Sequence, residues 1–262
     1  MLVFAAITPH PPLLLPSVGK EEQKKLAKTR EAFEELERDL YAAKPHRIII
    51  ITPHEGVFED AFTINAHTNL HAHFDTFGDL ETSHSWHGDP ELAANIQHAG
   101  NKKNVPVQLI SNEQIEHGAS IPLMHLTNHL EHIKVLPIGY SGLDPQQHIA
   151  FGHMIKDIVM NSDKRTAVIA SGDLAHTLSE NAPGGLHTDG AWFDTVIKEC
   201  LTSQSLDAIT SMDPIKIANA EECAYRSLLI LRGILGNMHT EFELLNYEAP
   251  FGVGYLTGQF HM

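Results

Sequence analysis

The feature that most constrains the fold is an uninterrupted run of β-branched residues, Ile48–Ile51, that directly follows Arg47. A strand without polar alternation is typical of a sheet that is covered on both faces. Similar short apolar runs occur at 1–7, 106–110, 134–139 and 166–170. These runs predict a largely parallel sheet that is enclosed by other elements.

Helix signals lie between the predicted strands. Residues 20–43 place apolar side chains at the spacing of an amphipathic helix, and 220–235 form a mostly apolar helix that ends at a glycine. Asp89 and Asp144 each precede a proline, which is the pattern of an N-cap and a first helical residue. Strands that alternate with helices predict an α/β fold. Because linkers and repeats are absent from the sequence, we expect residues 1–262 to form one domain.

Two further segments complete the predicted architecture. Residues 241–260 alternate polar and apolar residues around a Pro/Gly turn, which predicts two closing strands and hence a mixed, largely parallel central sheet flanked by helices. Residues 66–89 contain five histidines among small and polar residues. This composition predicts a long surface loop over a site.

The charge balance narrows the possible partners. Lys and Arg total 18 against 33 Asp and Glu, a formal net charge of −15, which disfavours nucleic acid and anionic membranes. No apolar run reaches the roughly 18 residues of a membrane helix, and the apolar start of the chain lacks the basic flank of a signal peptide. With two cysteines and no disulfide framework, we expect a cytoplasmic protein. We also expect a homo-oligomer, since closed homodimers are the commonest arrangement.

Two predicted strands end in the same tripeptide, Thr-Pro-His, at 8–10 and at 52–54. The carboxyl ends of strands form the ligand crevice of an open α/β sheet, so His10 and His54 are expected to converge there. A lone histidine at such a position usually caps the strand or binds a carbonyl group. Their duplication, in a chain with 19 histidines, favours metal ligands.

Further candidate residues lie in short polar motifs beside apolar segments. His117 lies in such a motif before a predicted helix, and His176 follows the predicted strand 166–170. The consecutive residues Glu221–Cys223 open the apolar helix, and a carboxylate there would complete a two-His-one-carboxylate site suited to Fe(II). Acidic residues at a helix start also have a purely structural explanation. The signatures of zincin metalloproteases, serine hydrolases and phosphate-binding loops are absent from the sequence.

Together these sequence motifs resemble those of the catalytic subunit of class III extradiol ring-cleaving dioxygenases. The superfamily of these enzymes also includes the Memo proteins. The matching words, in chain order, are Thr8–His10, Thr52–His54, Gly88–Ala93, Glu116–Leu123 and Ser171–His176. Two more segments, 135–138 and 245–247, are similar to segments shared with Memo. The resemblance covers nearly the whole chain.

The resemblance implies an oxidoreductase with non-haem Fe(II) that opens a catechol or aminophenol ring with O₂, next to the paired substituents. Carried over position by position, it makes His10 and His54 iron ligands, and it makes His117 and His176 acid/base residues. From the residues alone, Asp173 is a candidate either for orienting His176 or for capping a helix. Some family members need a small second subunit.

The resemblance leaves the identity of the third iron ligand open. The dioxygenases usually have Glu there, and Memo-type members have Cys. Glu222 is our predicted ligand, with Glu221 and Cys223 as alternatives. Two other functions remain open at this stage: a zinc-dependent enzyme with the same histidines, and a Memo-like metal-binding protein without ring cleavage. The presence of both acid/base histidines favours the dioxygenase.

Overall fold

The isoleucine run forms an inner strand of a ten-stranded sheet, in a computed structural model that describes residues 1–203 and 206–262. The strands of these residues are β1 (Leu2–Thr8), β2 (Arg47–Thr52), β3 (Phe62–Asn65), β4 (Asn69–Phe74), β5 (Asp79–Gly88), β6 (Val107–Ile110), β7 (Lys134–Gly139), β8 (Thr166–Ser171), β9 (Glu241–Glu248) and β10 (Tyr255–His261). Their order is β4-β5-β7-β2-β8-β1-β10-β9, and β3 pairs with β6 and β7 beside this path. The strands from β5 to β1 are parallel, and β4, β10 and β9 pair antiparallel. The predicted α/β class with a mixed, largely parallel sheet is confirmed.

Helices cover both faces of this sheet. In the described residues they are α1 (Pro16–Gly19), α2 (Ala27–Ala43), α3 (Pro90–Lys103), α4 (His117–Leu126), α5 (Pro145–Met160), α6 (Thr188–Thr202), α7 (Pro214–Ala220) and α8 (Tyr225–Leu235). Shorter 3₁₀ segments occur at Pro12–Leu14, Lys20–Leu26, Asp75–Phe77 and Leu206–Ser211. No helix of the described residues has the length and apolar character needed to cross a membrane.

Strand β2 shows why the sheet is buried on both faces. Its alternate residues Ile49 and Ile51 pack in one hydrophobic core with α3, α5, α6 and α8. Ile48 and Ile50 pack in a second core with α2 and α4. All four side chains are fully buried, so each face of the strand contributes to a separate core, as the unbroken apolar run predicts.

Both predicted helix starts at Asp-Pro are confirmed. The Asp89 carboxylate accepts the backbone N–H of Leu92 at 3.3 Å, at the start of α3. The Asp144 carboxylate accepts the N–H of Gln147 at 2.9 Å, and the Gln147 side chain in turn accepts the N–H of Asp144 at 3.3 Å. This reciprocal capping box fixes the start of α5.

The structure differs from the sequence expectations in three segments. Residues 66–89 are mostly an antiparallel hairpin of β4 and β5 rather than a loop, because alternate β4 residues pack into the second core. The segment 20–43 begins as the 3₁₀ turn Lys20–Leu26 before α2. The apolar helix of 220–235 begins only at Tyr225, so Glu221–Cys223 lie in a turn before it.

Candidate metal centre

Three neighbouring parallel strands end together at the candidate site. In the order β2-β8-β1, Ile51 of β2 is level with Ala170 of β8, and Thr8 of β1 is level with Ser171 of β8. The Thr-Pro-His words follow β1 and β2 directly. They therefore place His10 and His54 on either side of the segment that follows β8, as the sequence predicts.

The donor atoms of His10, His54 and Cys223 all lie within 4.8 Å of one another. The two Nε2 atoms are 3.3 Å apart, and the Cys223 Sγ lies 3.6 Å from the Nε2 of His10. His10 is buried and the other two residues are half-buried. Two imidazoles and one thiol are thus gathered at the strand edge.

The ring of His10 is held in one tautomer by Ser171. The Ser171 hydroxyl donates its one hydrogen to the carbonyl of Gly118 at 2.5 Å. Its oxygen therefore accepts from the Nδ1–H of His10, which lies 2.9 Å away. Since a neutral imidazole carries one hydrogen, the Nε2 of His10 has a free lone pair, which faces the other two donors.

Burial keeps both histidines neutral. Burial and the neighbouring histidines lower the pKa of His10 and of His54 to about 4, although the Asp173 carboxylate acts in the opposite direction. Burial, with the negative charge of Asp173, raises the pKa of the Cys223 thiol well above its usual value. A cation at this position would favour the thiolate, so neutral imidazoles and a thiol fit a divalent transition metal.

Cys223 is positioned by the loop after β8. The backbone N–H of Asp173 donates to the Cys223 Sγ at 3.1 Å, and the N–H of Cys223 donates to the Asp173 carbonyl at 3.1 Å. These contacts join residues that are 50 positions apart in the sequence. The thiol is therefore held by tertiary contacts.

Glu222, the predicted third ligand, is not among the converging donors. Its carboxylate accepts the backbone N–H of Tyr225 at 2.5 Å and so caps the start of α8. Burial raises the pKa of Glu222 to about 7. Glu221 is exposed, with a left-handed backbone at the end of α7. Of the three consecutive candidates, the structure brings only Cys223 to the two histidines.

His176 lies at the same edge of the sheet, beside a buried carboxylate. Its Nε2 is 3.9 Å from the Asp173 carboxylate, which also accepts the backbone N–H of His10 at 2.8 Å. Burial lowers the pKa of His176, but the hydrogen bonding and charge of Asp173 outweigh burial, so the pKa is raised. Burial raises the pKa of Asp173, but the neighbouring His10 and His176 lower it further, and the net shift is downward.

His117 stands on the other side of His54, at the start of α4. Its ring stacks on the His54 ring with centroids 4.3 Å apart and meets the Phe77 ring edge-on at 5.2 Å. Burial and the nearby His10 lower the pKa of His117 to about 4. The two histidines predicted for acid/base work therefore have pKa values shifted in opposite directions.

Phe77 and Ser171 were not identified from the sequence as part of the site. Phe77 lies at the tip of the β4–β5 hairpin, between two strands that the sequence predicts as a loop. It belongs to no sequence motif, so nothing in the sequence marks it. Ser171 belongs to the motif Ser171–His176, in which the sequence predicts a function only for Asp173 and His176. A serine at the end of β8, which pairs with the two strands that lead into His10 and His54, is the signal that identifies it.

The fold and this cluster define a class of protein: an α/β domain with a candidate His-His-Cys metal centre at the carboxyl ends of parallel strands. The chain belongs to the family described as the catalytic LigB subunit of aromatic ring-opening dioxygenase, whose family model matches residues 4–258. The family membership expected from the sequence words is confirmed.

Two relatives and one solved structure extend this finding. Protein CA_C1420 of Clostridium acetobutylicum is 30% identical over 258 residues, which are 95% of this chain and 55% of that protein, so the chain spans about half the length of this relative. A MEMO1 family protein of Methanosarcina acetivorans is 23% identical over 219 residues, 78% of this chain and 76% of that protein. Uncharacterized protein JW3007 from Escherichia coli K12 has a TM-score of 0.68 at 16% identity, covering 98% of this chain and 99% of that one. The last likeness shows the fold alone.

Proposed function

We propose that this chain is a non-haem Fe(II)-dependent extradiol dioxygenase that opens the ring of a catechol or aminophenol with O₂. The observation that carries the proposal is the convergence of the donor atoms of His10, His54 and Cys223 within 4.8 Å. His117 and His176 lie at the same strand edge, where acid/base groups can reach a bound ring. Membership of the ring-opening dioxygenase family supports the reaction class.

The metal would be held by His10, His54 and Cys223. Imidazole nitrogen and thiolate sulfur both suit first-row transition metals such as iron and zinc. We therefore propose Cys223 in the place that the sequence predicted for Glu222, whose carboxylate is engaged with the N-terminus of α8. A bound Fe(II) would supply the redox chemistry between the aromatic ring and O₂.

For a catechol, the proposed reaction needs no reductant besides its two substrates. The carbon–carbon bond next to the paired hydroxyls breaks, and both atoms of O₂ enter the product, one in a new carbonyl group and one in a carboxyl group. The organic substrate loses four electrons and O₂ gains four. The task left to the protein is to orient the ring and to move protons.

His176 would accept the proton that a ring hydroxyl loses on binding. A carboxylate 3.9 Å from its Nε2 stabilises the charged imidazolium that results. His117 lies between His54 and Phe77, so its ring is fixed in position. It would hold or return a proton as the O–O bond breaks. Phe77 would form an apolar wall that keeps water from this side of the ring.

The test is oxygen uptake by anaerobically purified protein that has been loaded with Fe(II) and offered a panel of catechols and aminophenols. We expect Fe(II)-dependent oxygen consumption together with absorbance of a yellow ring-opened product. His54→Ala abolishes both, while His98→Ala, at an exposed position on α3, serves as the matched control. Absence of oxygen uptake across the panel, with Fe(II) bound by His10, His54 and Cys223, would contradict the proposal.

A Memo-like metal-binding protein without ring cleavage is the second candidate. It is favoured by the thiol in the third donor position and by the MEMO1 family relative. A zinc-dependent enzyme with the same three ligands is the third candidate. Metal analysis of the protein as isolated, combined with the turnover panel, separates the three: iron with turnover supports the dioxygenase, metal without turnover supports the Memo-like protein, and zinc-dependent turnover supports the zinc enzyme.

A further inference from the structure

A cavity of about 540 Å³ lies next to the candidate metal centre. It is lined by the segments after β7 and before α7, by the start of α5, by α7 and by the first turns of α8, and it is partly open to solvent. Glu222, the residue before Cys223, is in its wall. Volumes of this size are typical of small-molecule sites. Most of its inner surface is apolar, from Leu143, Met212, Ile217, Tyr225 and Leu229.

The polar groups deep in this wall already have partners. The Tyr225 hydroxyl donates to the carbonyl of Ile209 at 3.1 Å. The fully buried His148 donates from Nδ1 to the carbonyl of Asp144 at 2.9 Å, and its Nε2 accepts the N–H of Ser141 at 3.5 Å. The donor hydrogen of Tyr225 and both ring nitrogens of His148 are therefore already engaged within the protein, which favours an apolar occupant.

The charged residues of the cavity are grouped towards its rim. Glu221 and Arg226 are exposed, and Glu222 is half-buried. The Arg226 guanidinium lies over the ring of Tyr140, 5.5 Å from its centre. An apolar group can thus enter the cavity while the polar end of the same molecule stays outside it.

The cavity and the metal centre share one edge of the sheet. Tyr140 directly follows β7, which is parallel to β2, and Thr52 of β2 is level with Gly139 of β7. Tyr140 and His54 therefore leave neighbouring strand ends on the same side. The turn 221–224 lies between the two, since Cys223 faces His10 while Glu222 lines the cavity.

We propose that this cavity binds an apolar substituent of the ring that is held at the metal centre. The substrate is then a catechol or aminophenol that carries an alkyl chain or a second ring, rather than the unsubstituted ring. This inference rests on the proposed function, because it assigns the cavity to the substituent of the same aromatic substrate. Each methylene buried in the cavity is expected to tighten binding about fourfold.

Binding is measured first, with ligands that lack the second hydroxyl. Calorimetric titration of the full chain with 4-ethylphenol, 4-butylphenol and 4-hexylphenol is expected to show an affinity that rises with chain length. Ala218→Trp places a large side chain in the cavity from an exposed position of α7 and is expected to remove this dependence. Ala42→Trp makes the same change at an exposed position of α2 and is the matched control.

Folding of the variants is checked by thermal unfolding and metal content. Should Ala218→Trp fail to fold, Ile217→Phe reduces the same cavity with a smaller change. Affinity that does not depend on chain length, or that depends on it equally in wild type and in a folded cavity-filling variant, would overturn the inference.

Turnover then separates this inference from the proposed function. With 4-alkylcatechols, kcat/KM is expected to rise with chain length, and 4-hexylphenol is expected to inhibit competitively. Catechol cleavage without any dependence on chain length would refute the apolar subsite and leave the ring-cleavage function standing. Chain-length-dependent binding of alkylphenols without any catechol cleavage would refute the ring-cleavage function and leave an apolar ligand site. Non-competitive inhibition would show that the cavity is not part of the substrate site.

Discussion

His10 and His54 reach the candidate metal centre from the ends of strands, whereas Cys223 reaches it from a turn between two helices. The two strands are aligned through β8, which pairs with both. The turn is aligned through two hydrogen bonds to Asp173 and through the cap that Glu222 provides to α8. Ligands on strands are therefore fixed by the sheet register, and the ligand on the turn is fixed by contacts between distant segments.

The largest expected effect is the loss of a histidine delivered by a strand. His10→Ala removes a buried donor whose orientation depends on Ser171. We expect the apparent Fe(II) affinity to fall by at least about a hundredfold, which is more than is typical when a residue that only orients a metal ligand is replaced. Anaerobic competition against a chelator of known affinity measures it, with His98→Ala as the control. An unchanged affinity would remove His10 from the proposed ligand set.

The comparison is sharpest in the turn, where neighbouring residues are expected to behave differently. Cys223→Ala should lower the metal affinity about a hundredfold, and Glu222→Gln should change it less than about threefold, because the Glu222 carboxylate binds a backbone N–H of α8 instead. The Gln variant keeps a side-chain oxygen that can accept the same N–H, so its free energy of unfolding is expected to change by less than about 1 kcal/mol. The same chelator competition, paired with urea unfolding, measures both quantities. The reverse order of affinities would restore Glu222 as the third ligand.

A smaller effect is expected from the residue that orients His10. Ser171→Ala removes the acceptor for the Nδ1–H of His10 and the donor to the Gly118 carbonyl. We expect a loss of about 10- to 100-fold in metal affinity with the fold intact, as is typical for partners of metal-ligating histidines. Chelator competition measures the loss, and circular dichroism checks the fold. An affinity equal to that of wild type would mean that the strand register alone orients His10.

A last expected effect, on stability and not on metal binding, tests how the segment after β8 is held. The buried Asp194 carboxylate of α6 accepts the N–H of Ala175 at 2.8 Å and the Tyr247 hydroxyl at 2.6 Å. Burial raises its pKa from 3.8 to about 6 despite these bonds. The folded protein therefore keeps this proton up to about pH 6, whereas the unfolded chain loses it near pH 4.

It follows that the unfolding free energy of wild type, relative to Asp194→Asn, falls as the pH rises from about 4 to about 6 and is constant above. The expected fall is on the order of 2 kcal/mol. Urea unfolding of both proteins between pH 4 and pH 8 measures it, with Asp60→Asn, at an exposed position, as the control. A difference that does not change with pH would mean that Asp194 titrates alike in the folded and unfolded chain.

The structure brings together the two histidines predicted at strand ends, and from the turn it brings Cys223 to them rather than the predicted Glu222. The words at 8–10 and 52–54 follow apolar runs that form parallel strands, so His10 and His54 converge as expected. The sequence predicts Glu222 as the third ligand from the family resemblance, since the dioxygenases usually have Glu at this position. In the structure, α8 begins at Tyr225, and the Glu222 carboxylate accepts the N–H of that residue instead of lying with the histidines.

By itself, the sequence determined the parallel strands, the capped helices α3 and α5, and the strand edge at which His10 and His54 meet. Each of these depends on hydrogen bonds between near neighbours or on the apolar period of a single segment, which are local properties of the chain. Only the tertiary structure decided that Cys223 joins them, that Phe77 of the β4–β5 hairpin packs on His117, and that an apolar cavity lies beside the centre. These features arise from contacts between segments far apart in the sequence, and no local pattern encodes the direction in which a turn presents its side chains.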